Sequence, residues 1–327
     1  MTTIPSLEFG VASGLVAAAA SAVSYLVARH HGGQTGGAGL RLMVPAHVLM
    51  GGACLPLAWL LWPTALPPVD GWLPPLVLSA GCYLAGQACV YAALQRMPAS
   101  RLAPLLGLKI VMLGAIVSCL PNGRLDPRQW VAVGLAVVAA SLLHREPAAA
   151  GRRTDAGGFV TVLVGCLCFA ISDLGIVSLL AALERPATAC CPAIGPLHAG
   201  ALAMASTYVL CGIAALPFMP RLGPRHPRDW VAPAQYATAW LGGMAALYAC
   251  FGSVDVVFGN ILQSTRGIMA VGAGVALAHL GWHDLEERVD RATLARRVAA
   301  AILMTAAIAL YVVGPTVAAG SGVRLDR

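Results

Sequence analysis

Lysine is almost missing from this sequence: of 21 basic residues, only Lys109 is not arginine. Charge of either sign is scarce, at 11% of residues, where soluble chains carry about 25%. That shortfall comes with 58% hydrophobic residues and a mean hydropathy of +0.77 over 327 residues. An ordinary soluble domain is excluded, and a polytopic membrane protein is indicated.

Other absences narrow the function. There is no His-Glu-x-x-His helix, no Gly-x-Ser-x-Gly elbow and no phosphate-cradling glycine loop, which argues against an enzyme. The net charge of +7 could attract nucleic acid. Its arginines, however, lie in short connections between apolar runs, with no aromatic–basic patch, so no nucleic-acid partner is expected. Eight of the ten cysteines lie inside apolar runs, where cysteine behaves as a small hydrophobe. Cys190 and Cys191 are adjacent, which is not the spacing of a zinc site. Neither a metal nor a cofactor is expected. The N-terminus lacks the basic flank of a signal peptide, so the first apolar segment reads as a retained helix.

What is present is a series of apolar segments, at 9–28, 42–62, 73–94, 102–120, 130–143, 158–182, 197–219, 234–254, 256–280 and 298–318. Most reach the ~20 residues that a helix needs to cross the hydrocarbon. Trp62, Trp72, Trp130, Trp230 and Trp282 fall at segment ends, as interfacial rings do. Gly10, Gly14, Ala18 and Ala22, and again Ala132, Ala136 and Ala140, recur every four residues, marking faces where helices approach closely.

The two halves repeat. Gly10 to Ser24-Tyr25 aligns with Gly158 to Ser172-Asp173, and Pro45-Ala-His47 with Pro196-Leu-His198. Tyr91 aligns with Tyr248, and Ile110 to Gly114 with Ile268 to Gly272. The offset grows from 148 to 151, 157 and 158, as an old duplication with loop drift should. A five-helix unit is odd, so its second copy inserts upside down, the inverted-repeat pattern of secondary transporters. The expected fold is an all-α membrane protein of ten transmembrane helices in two inverted five-helix repeats. The first spans 1–143, a polar linker 144–157, the second 158–320, and a tail 321–327.

This architecture, with its small-residue-rich helices and glycine-rich fourth and ninth segments, resembles the drug/metabolite transporter superfamily, EamA-like branch. The resemblance covers nearly the whole chain. It implies a secondary transporter of a small-molecule substrate, multi-pass in the cytoplasmic (inner) membrane, with the lipid bilayer as partner and a homodimer left open. The family carries a glutamate just after the fourth and ninth helices. Here those regions read Pro121-Asn-Gly-Arg124-Leu-Asp126 and Trp282-His-Asp284-Leu-Glu286-Glu287, so only the second half keeps it. Fourteen arginines lie in odd-numbered connections and five in the other loops and the tail. That bias puts both termini outside, whereas the resembled family keeps them inside.

Lys109 and Arg266 sit within apolar segments, one position apart in the repeat alignment. A cation at that depth costs several kcal/mol unless it faces a cavity or a partner, so each is a candidate site residue. They are expected to approach one central cavity and to bind an anion, Arg266 as a fork and Lys109 as a point charge. Plastid phosphate translocators of the same superfamily resemble this arrangement. Asp173 is the one acid well inside a span, and reads either as their salt-bridge partner or as a proton site. Gln263 and Ser264 gain weight from nearness to Arg266, while Tyr25, Tyr91 and Gln87 add polar groups inside spans. His47 and His198 are candidate proton relays. The expected activity is alternating-access transport of a small organic anion or amphoteric metabolite, with Asp173 coupling to protons. The alternative is an EamA-like exporter of cationic or neutral compounds that uses Asp173 as its binding acid.

Overall fold

The computed structural model describes residues 6–32, 38–63, 67–94, 105–120, 125–143, 156–185, 194–223, 226–266, 268–269 and 291–313. The described residues form ten α-helices: α1 Leu7–Gly32, α2 Ala38–Leu61, α3 Val69–Leu94, α4 Leu108–Cys119, α5 Pro127–Leu143, α6 Ala156–Glu184, α7 Pro196–Ala215, α8 Val231–Phe251, α9 Val256–Ser264 and α10 Arg291–Val313. No strand occurs among the described residues. Each expected apolar segment has its helix. Five of them, α1, α2, α3, α6 and α7 with its extension, are long and apolar enough to cross a membrane, while α4 is a shorter apolar helix.

Local chemistry sets the ends. Asp126 and Gln129 form a reciprocal capping box ahead of α5: the Asp126 N–H donates to Gln129 Oε1 at 2.9 Å, and the Arg128 N–H to Asp126 Oδ1 at 3.4 Å. Pro196 starts α7, where its missing N–H costs nothing. Beyond Ala215, Pro217 and Pro220 withdraw two more donors and the chain tightens into a 3-10 turn, Leu216–Leu222. Asp255 caps α9, its Oδ1 accepting the Val257 and Phe258 N–H groups at 2.9 and 3.0 Å and the Tyr311 hydroxyl at 2.9 Å. Such a cap contributes about 1 kcal/mol, and here it also ties α9 to α10.

Two helices depart from expectation at corresponding places. The fourth segment was expected to run from 102, but its helix is interrupted at Gly107, whose carbonyl accepts the Ile110 N–H at 3.1 Å. The ninth was expected to run unbroken from 256 to 280. It breaks at Thr265, whose carbonyl accepts the Ile268 N–H at 2.9 Å; residues 270–290 lie outside the described residues. The cause is local. Ser264 and Thr265 turn their hydroxyls back onto the Ile261 and Leu262 carbonyls at 2.6 and 2.7 Å. Back-bonding of this kind competes with the helical ladder and bends it.

The helices pack chiefly in four pairs, α3 with α6, α1 with α8, α2 with α7 and α5 with α10. The small-residue faces lie in these contacts. Ala18, Ala22, Ala132 and Ala136 are fully or almost fully buried. At the α2–α7 crossing a Cβ on Gly51 would sit 2.8 Å from the Gly212 Cα, and one on Gly212 the same distance from the Gly51 Cα. Only glycine permits that approach. Large apolar side chains point outward, Trp59 at 86% and Leu60 at 79% exposure, as befits helices whose solvent is lipid.

Candidate functional site

The interruptions of α4 and α9 bring polar groups from three helices together. Lys109, two residues past the Gly107 break, places its Nζ 2.7 Å from Asp173 Oδ2 on α6. Asn260 on α9 donates through Nδ2 to the same oxygen at 2.7 Å, and to its own Val256 carbonyl at 2.9 Å. The Lys109 side chain is only 16% exposed and that of Asp173 7%, so the pair is nearly desolvated and each charge depends on the other. Phe169, one turn before Asp173, presents its ring 5.9 Å from the ammonium. Of the two readings of Asp173, the salt-bridge partner is the one seen here, and the partner is Lys109 rather than Arg266.

Arg266 behaves differently. Its guanidinium lies 5.5 Å from the centroid of the Tyr25 ring, and no carboxylate among the described residues pairs with it. Gln263, one turn earlier, is buried without a hydrogen-bond partner among the described residues. Ser264 instead spends its hydroxyl on Ile261 and on Met304 Sδ of α10, 3.1 Å away. Lys109 and Arg266 share a neighbour in Cys166, which lies within electrostatic reach of both.

An aromatic wall continues from Tyr25. Its ring meets Trp240 edge-on at 6.1 Å, and Trp240 stacks on Tyr236 at 5.7 Å. Trp240 Nε1–H donates to the Tyr208 hydroxyl at 2.7 Å. Tyr83 packs its ring 5.9 Å from that of Tyr208 and 6.3 Å from that of Trp240, with Gln87 in hydrogen-bonding reach of its hydroxyl. The buried His47 completes the set, Nδ1 lying 2.8 Å from the Met43 carbonyl and Nε2 3.2 Å from the Tyr83 hydroxyl. A carbonyl only accepts, so neutral His47 carries its hydrogen on Nδ1 and takes the Tyr83 O–H on Nε2. Tyr91, partly buried on α3, lies within electrostatic reach of Tyr25 and Tyr236.

His198 stands apart from this wall. Its Nε2 is 2.6 Å from the Leu61 carbonyl, joining the start of α7 to the end of α2. The sequence match between His47 and His198 rested on prolines read as opening both helices. Pro196 does open α7, but Pro45 lies well inside α2, which begins at Ala38. The α2–α7 crossing instead sets His47 opposite Tyr208, since a Cβ on Gly212 would sit 3.0 Å from the His47 carbonyl and one on Gly51 3.0 Å from the Tyr208 carbonyl.

Sequence reasoning therefore missed Tyr83, Tyr208, Tyr236 and Trp240 as parts of the site, and gave Asn260 no role of its own. Aromatics inside apolar runs look like core, and their only available signal was the scarcity of aromatic residues, at 6% of the chain.

Residues 8–145 match the model of the EamA-like transporter family. No curated protein matches the chain. A solved crystal structure superposes over 92% of this chain and 95% of its own, at a TM-score of 0.67 and 12% identity, which shows a shared fold. The family match over the first part of the chain and the apolar helices together support a multi-pass membrane protein.

Proposed function

We propose that this membrane transporter, EamA-like in its first half, moves a small organic anion or amphoteric metabolite across the cytoplasmic (inner) membrane by alternating access. The observation that carries the anion reading is Arg266, a cation on a broken helix with an aromatic face beneath it and no acid paired with it among the described residues. Arginine presents a planar fork suited to a carboxylate or phosphate, and a desolvated cation of this kind marks a substrate path. Gln263, Tyr25 and Tyr91 line its approach. Asp173 holds Lys109 at rest, and as the acid of that pair it is the group that would couple transport to protons.

The packing supports two inverted repeats, residues 1–143 and 158–320. Advancing every helix by five turns the α1–α8 contact into α6–α3 and returns α2–α7 and α5–α10 to themselves. The interruptions at Gly107 and Thr265 lie 158 residues apart, the offset read from the sequence. Broken helices at a repeat interface are where transporters of this kind hold their cargo.

The cation-export alternative requires a free acid. Asp173 already receives Lys109 and Asn260 on one oxygen, so an arriving cation would have to displace a bonded ammonium. This favours the anion.

Ligand-induced thermal stabilisation of the purified protein, with anionic and cationic metabolites run in parallel, tests the reading. A ligand at 100 times its Kd stabilises by about 2.7 kcal/mol. Anions are expected to stabilise the wild type, and Arg266→Gln to weaken them tenfold to hundredfold, corresponding to about 1.5–3 kcal/mol for a hydrogen bond to a charged group. Stabilisation by cations alone, unchanged in Arg266→Gln, would move the site to Asp173.

A further inference from the structure

Tyr236 is fully buried, yet its hydroxyl has no hydrogen-bond partner among the described residues. An enclosed O–H normally finds an acceptor, because leaving it unpaired costs free energy that an apolar side chain would not. Its ring is fixed by stacking on Trp240, the residue that also meets Tyr25, and the Tyr25 ring lies beneath Arg266. The phenol is within electrostatic reach of Arg266 itself. Among the described residues, a donor without an acceptor and a cation without an anion therefore share one neighbourhood, and a single anionic oxygen group would satisfy both.

The charges around this place limit how negative that group should be. Lys109 and Asp173 cancel as a bonded pair. Asp255, eleven residues before Arg266 and roughly 16 Å away along the helix axis, is taken up by the N-terminus of α9 and by Tyr311. Among the described residues one positive charge remains, on Arg266, and one negative charge neutralises it. A second would enter a nearly dry site without a counter-ion, at high cost.

We infer that the site takes a singly charged carboxylate, with the Tyr236 hydroxyl donating to it alongside the Arg266 guanidinium. This rests on the anion reading and narrows it: phosphate esters and dicarboxylates are excluded, and Tyr236 becomes a residue that senses the head group.

The test is thermal titration of the full-length purified protein with butyrate, lactate and benzoate as monocarboxylates, and with succinate, inorganic phosphate and glycerol phosphate as dianions. Wild type, Tyr236→Phe and Arg266→Gln are compared. Monocarboxylates are expected to bind the wild type at least tenfold tighter than the dianions. Tyr236→Phe should weaken them about tenfold, the loss of one hydrogen bond to a charged group. Because that hydroxyl bonds to no group among the described residues, ligand-free Tyr236→Phe should unfold at the same temperature as wild type or higher. Binding in which succinate or phosphate equals the monocarboxylates overturns the single-charge inference, and unchanged affinity in Tyr236→Phe overturns the role of the hydroxyl; both leave the anion reading standing. No stabilisation by any anion overturns that reading and this inference together.

Discussion

Lys109→Met is expected to lower the unfolding free energy by about 3–5 kcal/mol and to abolish transport, the largest effect of any single substitution in this chain. The reason lies in what is left behind. Asp173 would remain enclosed with Asn260 as its only donor among the described residues, and one neutral amide does not replace an ammonium at 2.7 Å. Removing both charges is a different matter. In Lys109→Met/Asp173→Leu no charge is stranded, and a buried pair replaced by apolar groups of similar size is often neutral in stability. The double variant should therefore recover most of the lost stability while remaining inactive. Equilibrium unfolding in mixed detergent, alongside uptake into proteoliposomes, checks both statements. A Lys109→Met protein as stable as wild type would mean that Asp173 rests uncharged, and the pairing argument would fall.

The second large effect concerns the α2–α7 crossing. Gly51→Val or Gly212→Val places atoms where the opposing backbone already is, 2.8 Å away, and backbone cannot swing aside as a side chain can. Each should cost at least the 1–3 kcal/mol typical of overpacking, and the two together less than their sum, since helices parted by one substitution have room for the other. The neighbouring residue supplies the control. A Cβ at Gly52 meets nothing within 4 Å, so Gly52→Ala should be neutral or stabilising by up to about 1 kcal/mol, from helix propensity alone. Equal destabilisation at 51 and 52 would sink the crossing argument.

How much of this was legible beforehand follows the physics of each signal. Helices were legible because lipid demands runs of apolar residues, and all ten segments found a helix. The interruptions at Gly107 and Thr265 were not, because a glycine or a Ser-Thr pair within an apolar run is tolerated in most helices, and at Thr265 only the turning of the hydroxyls onto the helix carbonyls marks the break. Lys109 and Asp173 stood out because buried charge is rare, but rarity does not reveal partnership. From sequence Asp173 could equally have met Arg266. The aromatic wall was invisible, since Tyr236 and Trp240 pair one turn apart on α8 as core residues do everywhere.

The opposite fates of the two central cations carry an electrical consequence. On the proposed cycle, with Lys109 neutralised by an unprotonated Asp173 and Arg266 unneutralised among the described residues, the carrier without cargo moves one elementary charge when it reorients, and the carrier holding a monoanion moves none. A full crossing of one charge is worth about 2.3 kcal/mol per 100 mV, so membrane voltage acts on the empty return and leaves the loaded stroke alone. Counterflow, in which both strokes are loaded, should then be indifferent to an imposed potassium-diffusion potential, while net uptake responds several-fold. Counterflow that is equally voltage-sensitive would mean that the loaded carrier is charged. Otherwise the broken ninth helix works as a voltage-biased spring that resets the carrier after each delivery.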